Sequence, residues 1–210
     1  MTKRDKIIAV IILVLIISSL SFLFLYLNAN DKINTIKKEL IWDLGKALKQ
    51  GSLDIGAVAL FLREYCLTPY NGNVTMFEII YPEIYATTLG TLTRSVDDMT
   101  WAAIIAMHLR DLGVKDMEKL ITAINNVQER LIRISNLLAG KKLSPSDVAK
   151  IVETLDKISD VLSQLVDPVS SGQVPSDLVN QLNDLAAGLY KLDEQGAVTV
   201  SALHRILQVV

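Results

Sequence analysis

Apolar and polar positions change rhythm twice along this chain, and the two changes divide it into three stretches. From Ile7 to Leu27 no residue is charged, and Ile, Leu, Val and Phe dominate, with Ser18, Ser19 and Ser21 inside the run. A helix over that stretch is about 31 Å long at 1.5 Å per residue, which matches the hydrocarbon thickness of a bilayer. From Asn28 to Gly113 charged residues mix with apolar ones at irregular helical spacing. Beyond Met117 the apolar residues fall alternately three and four apart.

The middle stretch predicts two helices, an excursion and a third helix. Asn30 or Asp31 is placed to cap a helix to about Gln50, with Ile33, Ile36, Leu40, Leu44 and Leu48 on one face. Gly51 closes it, and Ser52 caps a second helix to about Cys66 that is apolar nearly all round at 57–62 and therefore buried. Pro69, the Asn71-Gly72 pair and Pro82 then read as a loop-rich excursion over 67–94, with room for a short strand at 74–80. Ser95-Val96-Asp97-Asp98 resembles a capping box, and the helix it starts stops at Gly113.

The last stretch is the most regular. Met117, Leu120, Ile124, Val127, Leu131, Ile134 and Leu138 form one seam. Val148, Ile151, Leu155, Ile158, Leu162 and Leu165 form a second, and Leu178, Leu182, Leu185, Leu189 and Leu192 a third. Ala139-Gly140 and Asp167-Pro168 mark helix ends, while Ser144-Pro145 and Pro175-Ser176-Asp177 mark starts. Ile121, Ile132, Leu137, Val152, Val161 and Val166 widen each stripe beyond a two-stranded coiled-coil seam, as a core-facing helix requires. The fold class is therefore all-α. A single N-terminal transmembrane helix leads into a multi-helix bundle. It ends in an antiparallel three-helix bundle plus a short terminal helix from about Thr199 to Val210. The expected divisions are a cytoplasmic tail at 1–6, an anchor at 7–27, a helical subdomain at 28–113 and the antiparallel bundle at 114–210.

The apolar run is longer than the 7–15 residues usual for a signal-peptide core, so an anchor is favoured over a cleaved leader, although Leu27-Asn28-Ala29 loosely resembles a cleavage site. Lys3, Arg4 and Lys6 crowd its amino side, whereas Lys32, Lys37, Lys38 and Lys46 are spread among acids on the other. Density of cations places the amino terminus in the cytoplasm and the helical domain outside. The sequon Asn73-Val74-Thr75 is compatible with export but is common by chance. An apolar helix continuing into an amphipathic one resembles a pilin, yet no Gly precedes the run and Arg4-Asp5-Lys6 departs from a prepilin processing site.

Charge and composition then narrow the chemistry. With 21 basic against 23 acidic residues the chain has no basic footprint for nucleic acid. The single cysteine, Cys66, excludes an intrachain disulfide. Neither His108 nor His204 sits in a metal-ligand motif, and no glycine pattern forms a phosphate cradle. A Cys66–His108 nucleophile pair is weaker than Cys66 as a small core residue, and Asp97-Asp98 is better used at a helix start than as paired catalytic carboxylates. No catalytic, metal or cofactor site is expected. Tyr65, Tyr70, Phe77, Tyr81 and Tyr85 stand out instead, as a candidate interaction or ligand surface or as rings that pin the excursion onto the bundle. The expected function is that of a membrane-anchored, non-catalytic envelope module, structural or protein-interacting, with a protein partner or a second copy. The alternative is a ligand-binding or sensory ectodomain using residues 65–85 together with a membrane partner.

Overall fold

The computed structural model describes residues 3–141 and 143–190, with side chains from Val14 to Gly188. The expected terminal helix, the seam side chains Leu189 and Leu192, and His204 lie outside the described residues. Everything described is helix or short turn, with no strand. Helix α1 runs Lys3–Leu62, followed by a π-helical turn Arg63–Leu67 and a single turn α2, Thr68–Tyr70. Then come α3 (Val74–Ile80), α4 (Pro82–Asp111), α5 (Met117–Ala139), α6 (Pro145–Ser170) and α7 (Ser176–Tyr190).

Two compact units divide at Glu39/Leu40. The first is the amino-terminal part of α1, which is long and apolar enough to cross a membrane. From Val14 onward its apolar side chains are exposed, Val14 at 56% and Phe22 at 73%. The Ser21 hydroxyl donates to the Ile17 carbonyl at 2.9 Å, which satisfies it inside an apolar run without a partner helix. The expected cap at Asn30 or Asp31 is absent, because α1 passes straight through both. An exposed Asn or Asp inside a helix costs only about 0.5 kcal/mol, so nothing forces a break there. Ile33 and Ile36 are also exposed, contrary to the expected face.

The second unit begins at Leu40 and holds one hydrophobic core, inside which the expected 113/114 division falls. Gly51-Ser52 does not separate two helices; it is a packing seam within α1. A Cβ at Gly45 would lie 2.1 Å from the Ser170 hydroxyl, and one at Gly56 would lie 3.0 Å from that of Ser159. The Ser52 hydroxyl donates to the Ser159 carbonyl at 2.9 Å, and the Ser159 hydroxyl returns a bond to the Ser52 carbonyl at 2.8 Å. Small residues thus let α1 and α6 approach closely and run antiparallel, with Arg63 paired to Asp156 further along. On its other side α1 meets α4, where Gly51 leaves room for Met99 and Asp54 pairs with Arg94. Helix α4 packs on α5, and α7 packs on both α5 and α6.

The seams of α5 and α6 are buried throughout, from Met117 to Leu138 and from Val148 to Leu165. In α7 the buried line is Val179, Leu182 and Ala186, with Leu178 and Leu185 only partly covered. Lying between two helices, α7 presents a wider face than one seam. Ile132 is a second departure, being 44% exposed where a flanking core position was expected. Ser144 caps α6 as predicted, in a capping box with Asp147. Pro168 does not end that helix. Val169 behind it is fully buried, and the chain turns only at Gly172, whose φ is +78°.

Candidate functional site

The segment expected to be a loop is helical. Leaving α1, the chain widens into the π turn, and the Gly72 amide reaches back to the Cys66 carbonyl at 3.0 Å. Asn71 and Gly72 both take left-handed backbone, which ends α2 instead of closing a β-hairpin. The Asn73 side chain then accepts from the Met76 amide at 3.1 Å and caps α3 across the expected strand. Pro82 occupies the first turn of α4, where a missing amide hydrogen loses no helical bond, whereas Pro69 follows the π turn directly, with Leu67 and Thr68 keeping right-handed helical backbone. The prolines and glycine that suggested a loop are therefore helix punctuation.

Ser95-Val96-Asp97-Asp98 is the corresponding correction further along. It lies in the middle of α4, where buried Ser95 donates to the Thr91 carbonyl at 2.9 Å. Asp98 faces α1 with Oδ2 buried and without a hydrogen-bond partner. Burial raises its pKa above the usual carboxylate value, and Asp54 and Asp97 raise it further against the opposing Arg94. A carboxyl raised in the folded state contributes stability that is present at acid pH and lost as pH rises through its folded pKa. Asp98→Asn is therefore expected to be more stable than the parent at pH 7. That advantage should shrink as pH falls through the raised folded pKa and be gone below about 4, which thermal unfolding at several pH values measures.

The five aromatic candidates separate into two groups. Phe77 is fully buried, Tyr85 nearly so, and their rings meet edge to face at 5.6 Å. The Tyr85 hydroxyl donates to the Leu138 carbonyl at 2.9 Å, tying α4 to the end of α5. These two rings belong to the core. Tyr65, Tyr70 and Tyr81 remain half-buried. Tyr65 and Tyr81 meet edge to face at 5.2 Å, and Tyr70 and Tyr81 lie tilted at 6.2 Å. Burial, and then its bond with Tyr81, hold the Tyr70 phenol above its ordinary pKa, so it stays a neutral hydroxyl near neutral pH.

Beside those tyrosines lies an apolar surface that sequence reasoning missed. Helix α3 turns Val74 and Phe77 inward, while Met76, Ile79 and Ile80 face out at 38%, 66% and 43% exposure. The signal was present as an i, i+3, i+4 set, but reading 74–80 as a strand concealed it. A short helix that is apolar on both faces has a second face left to cover.

Little here supports chemistry. Cys66 is fully buried, which pushes its thiol up to about 11, and His108 is exposed on α4. Among the described residues no group of three His, Cys, Asp or Glu side chains is placed to hold a metal. A shallow, open cavity of about 220 Å³ lies between Gly72–Thr75 and Lys141, Leu143 and Pro145, and none of the five rings lines it. Comparison of the chain with protein-family models, with curated proteins and with solved structures returns no match.

Proposed function

We propose that this chain is a membrane-anchored, non-catalytic helical module of the cell envelope that holds a protein-contact surface at α3. The supporting observation is the outward face of Met76, Ile79 and Ile80 bordered by the half-buried Tyr70 and Tyr81. Exposed apolar side chains clustered beside aromatic edges are the usual composition of a contact core. The apolar run at 7–27 supplies the anchor, and its cationic amino side favours a cytoplasmic amino terminus with the helical unit outside.

A photo-crosslinking residue at position 79 of the full chain, in the cells that make it, tests the surface. The expected result is a discrete protein adduct that is missing when the same residue replaces Ile132, which is exposed on α5. Equal, diffuse labelling at both positions would remove the contact surface from α3. Protease protection on intact cells checks the topology, since cleavage of the helical unit from outside is expected. A ligand-binding ectodomain has less support. Its aromatic residues pack against one another, and the neighbouring cavity is lined without them.

A further inference from the structure

The charges around α3 narrow what covers it. From residue 64 to residue 93 the chain contains no Lys or Arg, and its only charged side chains are Glu64, Glu78 and Glu83. Glu78 is neutralised by Lys141. The flanking cations are engaged elsewhere, Arg63 by Asp156 and Arg94 by Asp54. Glu64 and Glu83 are exposed, one beside Tyr65 in the chain and the other two residues beyond Tyr81. Among the described residues Glu64 and Glu83 have no ion-pair partner, so the segment that carries the apolar face keeps a rim of two unpaired carboxylates.

We infer that the α3 face receives a helix of a different protein, one with an apolar stripe flanked by Lys or Arg. This rests on the contact-surface reading and adds the chemistry of the partner. Electrostatic complementarity selects among partners by penalising like charge, and three occupants are distinguished by it. A second copy in a symmetric dimer would set this face against itself and bring its own carboxylates together. An anionic lipid surface would be repelled by the same rim. A basic helix meets both requirements, because its apolar stripe covers Ile79 and Ile80 while its cations reach Glu64 and Glu83.

Two short helical peptides sharing one leucine face, flanked in one by Lys and in the other by Glu, serve as the probes. Each is titrated against the full chain in zwitterionic detergent, with empty micelles subtracted. The Lys peptide is expected to bind about fivefold more tightly, as two exposed ion pairs allow. That preference disappears in Glu64→Gln/Glu83→Gln and persists in Asp160→Asn, an exposed carboxylate on α6. Ile79→Ser/Ile80→Ser abolishes binding of both peptides while leaving thermal unfolding unchanged.

Equal affinities, or a preference that survives loss of Glu64 and Glu83, overturn the basic partner. If Ile79→Ser/Ile80→Ser still abolishes binding in that case, the contact surface stands without it. Failure of both peptides to bind overturns the inference and the surface together. Dimerisation through Ile79, or adsorption to anionic vesicles that depends on it, assigns the face to a second copy or to lipid and equally overturns the basic partner.

Discussion

Phe77→Ala is expected to destabilise the helical unit by about 3–5 kcal/mol, the range for removing a fully buried ring. In a domain of this size that lowers the melting temperature by roughly 6–20 °C. Phe77 has no exposed surface and packs edge to face on Tyr85 at 5.6 Å, so truncation leaves a void beside a ring that cannot follow it. Tyr85 in turn bonds the Leu138 carbonyl, so loosening it disturbs the end of α5 as well. Ile79, two residues away on α3, is 66% exposed, and Ile79→Ala should change stability by less than about 0.5 kcal/mol. Unfolding by denaturant, followed by circular dichroism, measures both. Similar losses for the two variants would mean that α3 does not have one buried and one open face.

Gly72→Ala is expected to cost about 2–5 kcal/mol, from two sources. At φ +78° an alanine pays roughly 1–2 kcal/mol for left-handed backbone. Its Cβ would also stand 2.7 Å from Pro145 Cα and 2.9 Å from the Pro145 carbonyl oxygen. Backbone atoms cannot rotate aside, so the start of α6 has to move, and forced overpacking typically adds about 1–3 kcal/mol. Gly113 separates the two terms, because it has φ +81° but nothing within 4 Å of an added Cβ. Gly113→Ala should therefore lose only the backbone term, and the difference between the variants measures the contact of the 71–73 turn with α6. Equal losses would show that Gly72 is needed for its conformation alone.

These two positions show where reading the chain succeeds and where it stops. The seams of α5 and α6 were legible because the seam residues from Met117 to Leu138 and from Val148 to Leu165 face the core at a period set by the helix itself. The Ser144 cap was legible because its bonds to Asp147 join residues three apart. The apolar run was legible from its length and lack of charge alone. Residues 67–94 were misread because Pro, Gly and Asn punctuate loops and helix ends alike. What decides between them is whether Val74, Phe77 and Tyr85 find a core to enter.

The sequence by itself determined the helical class, the candidate membrane span and the inward seams of α5 and α6, since each depends on local periodicity or on composition. Tertiary structure decided the rest. It carried α1 unbroken through Gly51, because Gly45, Ser52 and Gly56 match serines on α6 more than a hundred residues away in the chain. It divided five aromatic residues into two core rings and three edge rings, and it turned Met76, Ile79 and Ile80 outward. Pairings of that range depend on which surfaces meet when the helices close, and no spacing along the chain encodes them.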